Sequence, residues 1–153
     1  LAHALAALGY PGFAYLRSRA ALNPAELLLR ALAEPDLDSR LAEALPWVVL
    51  TYPDMNWDWL LRTARLCDLQ NRLGFSVTLA RKLAERRGEN QKATRLSELE
   101  TGLDRSRLAR EDTFCHESLS NAERRWLREA RPPEAQHWNL LTDLTPEHLA
   151  RAA

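Results

Sequence analysis

Helix-start signals recur along this chain and limit it to a helical fold. In NPAELLLRALAE, Asn23 stands before Pro24, and Glu26 follows three positions after the asparagine. An asparagine side chain accepts hydrogen bonds from the N–H groups that a helix start leaves unpaired, and proline is tolerated at the first helical position. A helix is therefore predicted from Pro24. The same device recurs twice, as Ser120 with Glu123 and as Thr145 with Pro146.

Strand signals are missing from the sequence. Isoleucine is absent, no Asn-Gly or Asp-Gly hairpin turn occurs, and Ala, Leu and Arg dominate, with only 5 glycines. We predict an all-α fold. The links between the helices from 23 to 87 are short, which favours a multi-helix bundle of short antiparallel helical hairpins. The stretch EPDLDSRLAEALPWVVL resembles the second helix of a HEAT-type hairpin, so a partly HEAT-like bundle is expected.

A length of 153 residues favours one domain. We expect an N-terminal arm with short helices over 1–22, including one in FAYLRSRAAL, then a helical core over 23–110 and an aromatic-containing C-terminal segment over 111–153. No apolar run approaches the roughly 18 residues of a membrane span, and no secretory signal is recognisable. A cytoplasmic protein that does not enter a membrane is the expectation.

Catalytic and metal-binding patterns are not found. Cys67 and Cys115 lie far apart with no Cys-x-x-Cys spacing, and we expect both to be reduced thiols. The four histidines are scattered, and no glycine-rich phosphate loop is present. The sequence therefore predicts a protein that is not an enzyme and has no metal or cofactor.

The segment PDMNWDWLLRTARLCDLQNRLGF, residues 53 to 75, is the first candidate for a binding site. Helical spacing places Trp57 on a buried face and turns Trp59 away from it. We predict a partner-binding surface; the alternative is two ordinary core helices in close contact. Its candidate residues are Trp59, Arg62, Arg65 and Arg72.

A glycine interrupts the apolar stripe of the next helix. Leu69, Leu73, Val77 and Ala80 are spaced three or four apart, and Gly74 falls among them. Glycine inside a helix costs roughly 1 kcal/mol relative to alanine. Its presence predicts that another backbone approaches closely at this point.

Charge is distributed unevenly. The middle of the chain, residues 62–110, carries a net charge of +6 between flanks of −3 each. Such a block indicates solvated helix faces, pairing with an acidic partner or with the protein's own acidic flanks, or contact with nucleic acid through residues 81–110. The candidate residues for a nucleic-acid or acidic-partner face are Arg81, Lys82, Arg86, Arg87, Lys92 and Arg95.

The C-terminal segment contains Phe114, Trp126 and Trp138 around an irregular link at Pro132 and Pro133. Two roles are open for these aromatic residues. They can pin an extended segment to the core, or Trp126 and Trp138 can form an exposed patch for a partner.

Residues 57–84 combine an aromatic and acidic start, WDWLL, with a following helix that reads NRLGF-x-x-x-LA. This pattern resembles the C-terminal helical region of AbiE-type antitoxin regulators. In that family a winged-helix N-terminal domain binds operator DNA and the helical domain provides the antitoxin activity. The resemblance implies a bacterial transcriptional regulator with a toxin or regulator component as its protein partner.

No strand pair for a wing is predicted in this chain, and the first residue is not Met. We therefore expect a piece of a longer protein, with nucleic-acid binding through a domain upstream of Leu1. Two alternatives stay open: a HEAT-like scaffold or adaptor domain, and a direct nucleic-acid binder that uses the basic face of residues 81–110.

Overall fold

The computed structural model describes residues 1–16 and 23–152, with side chains as far as Leu149. Helices dominate this part of the chain, and the prediction of an all-α, multi-helix fold is confirmed. Part of the helix expected in FAYLRSRAAL lies outside the described residues. The N-terminal elements are α1 (Ala2–Ala7), a 3-10 turn (Pro11–Phe13), α2 (Pro24–Ala33) and α3 (Ser39–Thr51). They are followed by α4 (Trp57–Leu66), α5 (Gln70–Arg86), α6 (Asn90–Asp104), α7 (Asn121–Ala130), α8 (Pro133–His137) and α9 (Pro146–Ala152).

The predicted capping residues begin their helices. Asn23 Oδ1 accepts a hydrogen bond from the Glu26 amide at 3.1 Å, and Ser120 Oγ accepts one from the Glu123 amide at the same distance. The Ser120 hydroxyl also lies 3.1 Å from Glu123 Oε1, which completes the capping box. The predicted cap at Thr145 is also present, because the His148 amide donates to Thr145 Oγ1 at 3.4 Å.

Helix α5 lies at the centre of the fold. Every residue from Gln70 to Ala80 is buried, and the helix packs against α3, α4, α6, α8 and α9. It ends where Gly88 adopts a φ of +71°, a conformation that glycine adopts without strain. The Glu89 amide then donates to the carbonyl of Ala84 at 3.0 Å and closes the helix end.

Two short strands were not predicted. Strand β1 (Asp112–Thr113) pairs in parallel with β2 (Leu140–Leu141). A strand is recognised in a sequence by apolar and polar residues that alternate over four to eight positions. Each of these strands is only two residues long. The pairing joins two parts of the C-terminal segment that lie 28 positions apart in sequence.

One hydrophobic cluster extends from Leu5 to Leu149. The N-terminal arm contributes Tyr10 and Phe13, and Tyr10 contacts Trp47 of α3 with 5.2 Å between ring centroids. The C-terminal segment contributes Phe114, whose ring meets Phe75 of α5 at 5.0 Å. All three parts expected from the sequence therefore share this core.

Candidate functional site

Arg72 lies inside the protein, which corrects the prediction that it belongs to an exposed partner-binding surface. Only 5% of its side chain is exposed. Its Nε donates to Asp112 Oδ2 at 2.8 Å and its Nη2 to Asp112 Oδ1 at 3.0 Å. Its Nη1 donates to the carbonyl of Leu32 at the end of α2, at 2.8 Å. The guanidinium thus joins α5, α2 and β1.

The ion pair between Arg72 and Asp112 lowers the pKa of the Asp112 carboxyl group. Burial by itself raises the pKa of Asp112, but the hydrogen bond and the positive charge of Arg72 outweigh it, so the pKa lies below its ordinary value. Cys115 is close to the same guanidinium, with its Sγ 3.9 Å from Arg72 Nη1. Burial raises the pKa of this thiol to about 11. Cys115 is therefore a protonated and unreactive thiol at neutral pH.

Asn71, the neighbour of Arg72, holds the chain that follows α6. Its Oδ1 accepts a hydrogen bond from the Leu108 amide at 2.8 Å, and its Nδ2 donates to the Leu108 carbonyl at 2.9 Å. The same Nδ2 lies 2.9 Å from the carbonyl of Trp138. Two adjacent polar residues of α5 therefore fix the chain after α6 at Leu108 and the C-terminal segment at Asp112 and Trp138.

The close approach at Gly74 comes from a side chain, and the expectation of a neighbouring backbone was wrong. The six-membered ring of Trp138 occupies the space of a side chain at position 74. The Trp138 indole N–H donates to Thr78 Oγ1 at 2.9 Å. Of the two roles considered for Trp138, anchoring the C-terminal segment to the core is the one the structure supports.

The predicted surface on α4 is divided. Trp59 is half-buried against the core, and Arg62 is exposed. Arg65 bonds within the protein, where its Nη2 donates to the Gly102 carbonyl at 3.1 Å. The structure adds Leu66, one turn beyond Arg62, with 80% of its surface exposed. Trp59, Arg62 and Leu66 form what remains of this candidate, and we call it the α4 face.

The basic block largely pairs with carboxylates of the same protein. Arg81 contacts Glu100 at 2.6 Å and Glu85 at 2.7 Å, and Lys82 contacts Glu134 at 2.5 Å. Arg86 pairs with Glu147, and Arg95 has a long contact of 3.8 Å with Glu98. Lys82 and Arg86 pair with the acidic C-terminal flank, as one of the interpretations from the sequence expects, whereas Arg81 and Arg95 pair with carboxylates of the basic block itself.

Two residues of the predicted basic face stand apart. Among described residues, Arg87 and Lys92 make no ion pair.

A cleft of about 740 Å³ opens at the C-terminal segment, within the usual range of about 300–1,000 Å³ for ligand sites. The start of α3, the loop after β1, α7, the chain after β2 and α9 surround it. Its apolar lining residues are Leu37, Ala42, Phe114, Leu119, Trp126, Leu127, Leu141 and Leu144. The polar ones are Asp38, Ser39, Glu43, His116, Glu123, Thr142, Asp143 and His148.

Trp126 stands on α7 beside this cleft with 59% of its surface exposed. Leu127 is the one buried residue of α7, so the helix faces the protein through Leu127 and leaves Trp126 largely in solvent. Glu111 binds Arg128 through two hydrogen bonds of 2.8 Å and ties the outer side of α7 to the chain before β1. Trp126 and Trp138 therefore differ in exposure, although the sequence left the same two roles open for both.

The opposite wall is fixed by the loop after β1. The Leu37 amide donates to the Cys115 carbonyl at 2.8 Å, and the Glu117 amide donates to the Pro35 carbonyl at 2.8 Å. Asp38 Oδ1 caps α3 through the Arg40 amide at 2.9 Å. These bonds pre-form the mouth of the cleft, so a ligand meets a wall that is already ordered.

The sequence did not reveal the cleft, because its lining comes from five separated stretches of chain. The exposure of Trp126 was one of two open alternatives, and the surrounding carboxylates looked like ordinary helix starts. The one signal available was the pattern of α7, which places Glu123 next to both Trp126 and Leu127 at helical spacing.

Comparison with protein-family models finds none that matches the chain, and comparisons with curated proteins and with solved structures find no match either. Across residues 1–16 and 23–152, no helix is long and apolar enough to cross a membrane. The described residues also contain no group of three or more His, Cys, Asp or Glu side chains that could hold a metal ion.

Proposed function

We propose that this chain is a protein-interaction domain whose cleft beside α7 takes a segment of a partner protein. The observation that carries the proposal is the exposed Trp126 at a cleft whose lining is partly apolar. Tryptophan is enriched among the residues that dominate binding energy at protein interfaces, where it supplies a large contact area. An indole with 59% of its surface in solvent, at a concave and partly apolar surface, is suited to that use.

The fixed surroundings of the cleft support the same proposal. Arg72 and Asn71 hold the C-terminal segment from the centre of the fold, and backbone hydrogen bonds hold the loop after β1 against the start of α3. A pre-ordered surface loses less conformational freedom on binding than a mobile one. The cleft therefore presents its apolar surface at low entropic cost.

The more specific role rests on the resemblance of residues 57–84 to AbiE-type antitoxin regulators. On that basis we propose a bacterial regulator in which this domain acts as the antitoxin-like or effector half. Its partner would be a toxin or regulator component in the cytoplasm, and a DNA-binding domain would be a separate part of the protein. The α4 face of Trp59, Arg62 and Leu66 is the second candidate surface for this role.

Nucleic-acid binding through residues 81–110 is supported less well. Ion pairs with Glu100, Glu134 and Glu147 already neutralise much of the positive charge. Affinity for a phosphate backbone depends on cations that are free to replace its counterions.

A peptide-display selection tests the proposal. A library of random dodecamers is selected on the immobilised chain, and the enriched peptides are then compared on the intact chain, Trp126→Ala and Trp59→Ala. The proposal expects peptides that lose most of their affinity on Trp126→Ala and keep it on Trp59→Ala. Peptides that depend on Trp59 instead would move the site to the α4 face. An absence of enriched peptides would overturn the proposal for both surfaces.

A further inference from the structure

The cleft combines apolar lining residues with several carboxylates. Four carboxylates line it, from Asp38, Glu43, Glu123 and Asp143, and no described lysine or arginine does so. In the part of the chain that the structure describes, none of the four takes part in an ion pair. Many carboxylates elsewhere are paired, as the bonds from Arg81, Lys82 and Arg128 show.

Two arginines close in sequence to the lining residues are engaged away from the cleft, while Arg125, next to Trp126 on α7, is exposed and outside the lining. Arg40 follows Ser39 on α3, but its guanidinium lies 5.3 Å from the centre of the Phe13 ring. Arg124 precedes Trp126 on α7 and donates to the carbonyls of Glu117 and Leu119 at 2.7 and 3.1 Å. The only basic side chains among the described lining residues are the two histidines, His116 and His148, so the carboxylates of the cleft are open to an external cation.

Trp126 adds a second preference for cations. The face of an indole ring attracts guanidinium and ammonium groups, and this ring is largely in solvent. Arginine also stacks flat on aromatic faces, and its guanidinium can form two parallel hydrogen bonds with one carboxylate. One basic side chain can therefore contact Trp126 while another reaches a carboxylate of the cleft.

We propose that the occupant of the cleft is a basic segment of the partner protein, in which lysines or arginines flank one large apolar side chain. The apolar side chain fills the floor beside Phe114 and Leu127, and the cations meet Glu43 and Asp143. This inference rests on the proposed function and specifies the chemistry of the partner at the same site. Charge complementarity of this kind gives specificity and a fast, salt-dependent association.

The experiment uses the dodecamers selected on the intact chain and their synthetic copies. The inference expects enrichment of lysine and arginine around one large apolar residue. Binding is measured by fluorescence anisotropy at low and high salt against the double variant Glu43→Gln, Asp143→Asn. Asp38 and Glu123 are left intact because Asp38 caps α3 and the Glu123 carboxylate completes the capping box of Ser120 on α7. Glu129→Gln is the matched control, since Glu129 is an exposed acid of α7 outside the cleft lining.

We expect the double variant to weaken binding on the order of tenfold and to reduce its salt dependence, with the control unchanged. Neutral or acidic peptides that bind in the cleft and lose affinity on Trp126→Ala would overturn this inference and leave the proposed function standing. Failure to enrich any peptide would overturn both. If spermidine displaces the bound peptide, and the peptide binds equally well without its apolar residue, the cleft is a site for free polyamines and this inference is overturned. A concentration-dependent dimer that disappears in Trp126→Ala would assign it to a second copy of the chain.

Discussion

The indole ring of Trp138 lies where a side chain at Gly74 would be, with Cζ3 and Cζ2 only 2.5 and 2.7 Å from the position of a Cβ at that site. Gly74 of α5 and Trp138 of the C-terminal segment are 64 positions apart in sequence, and the two elements fit together because position 74 has no side chain.

Gly74→Ala is expected to destabilise the protein. The added methyl group overlaps the Trp138 ring, and overpacking of this kind costs about 1–3 kcal/mol, which outweighs the gain of up to about 1 kcal/mol from helix propensity. Gly102→Ala in α6 is the matched control, because no atom lies within 4 Å of a Cβ there. The control should raise stability by about 0.5–1 kcal/mol. Urea denaturation of both variants measures the difference, and equal effects would contradict the packing described for Trp138.

Asp112→Ala is expected to cost a large share of the stability. Removing one partner of a buried ion pair leaves the other charge uncompensated and costs about 3–5 kcal/mol; with 26% of the Asp112 side chain exposed, we expect about 2–4 kcal/mol. Glu117→Ala is the control, because Glu117 contacts the same guanidinium only at 3.5 Å and is 57% exposed. The control should change the free energy of unfolding by less than about 0.5 kcal/mol. Comparable losses in the two variants would show that Asp112 is not the main partner of Arg72.

The pair also predicts a dependence of stability on pH. The pKa of Asp112 is lower in the folded protein than in the unfolded chain, so the pair contributes fully above the unfolded value of about 3.9 and is lost as pH falls through the folded value. Asp112→Asn removes this titration. The difference in free energy of unfolding between the unmodified protein and Asp112→Asn should therefore shrink as pH falls from 6 to 3. A difference that stays constant over that range would contradict the prediction.

The two cysteines should react differently with alkylating reagents. Cys67 is exposed at the end of α4, whereas Cys115 is buried and burial raises its pKa to about 11. Iodoacetamide at pH 8 should label one thiol of the native protein and both thiols in denaturant, as counted by mass spectrometry. The native protein carrying Cys67→Ser should remain unlabelled, and rapid labelling of that variant would show that Cys115 is accessible.

Local features were predictable from the sequence, and long-range ones were not. The caps at Asn23 and Ser120 act on residues three positions away, so the sequence contains the whole interaction. The contact of Arg72 with Asp112 spans 40 positions and depends on how the C-terminal segment folds back. The sequence shows one apolar stripe on α5, whereas every residue from Gln70 to Ala80 is buried; for this reason Arg72, which lies outside the stripe, was predicted to lie on the surface.

The cleft was beyond sequence reasoning for the same reason. Its acidic residues also begin or line helices, and nothing local distinguishes Glu43 from a solvated carboxylate. Trp126 and Trp138 look equivalent in a sequence, yet one fills the core and the other faces solvent. Exposure depends on the tertiary fold, which local periodicity does not encode.

The most direct test of the central claim uses the five tryptophans as separate reporters. In a ¹⁵N–¹H spectrum, each indole N–H gives one signal, and single Trp→Phe variants assign them. Titration with an enriched basic dodecamer should shift the Trp126 signal strongly, while Trp57, bonded to the Pro53 carbonyl, and Trp138, bonded to Thr78, should barely change. A Trp126 signal that stays in place at saturating peptide, or a shift confined to Trp59 on α4, would contradict the assignment of the cleft as the binding site.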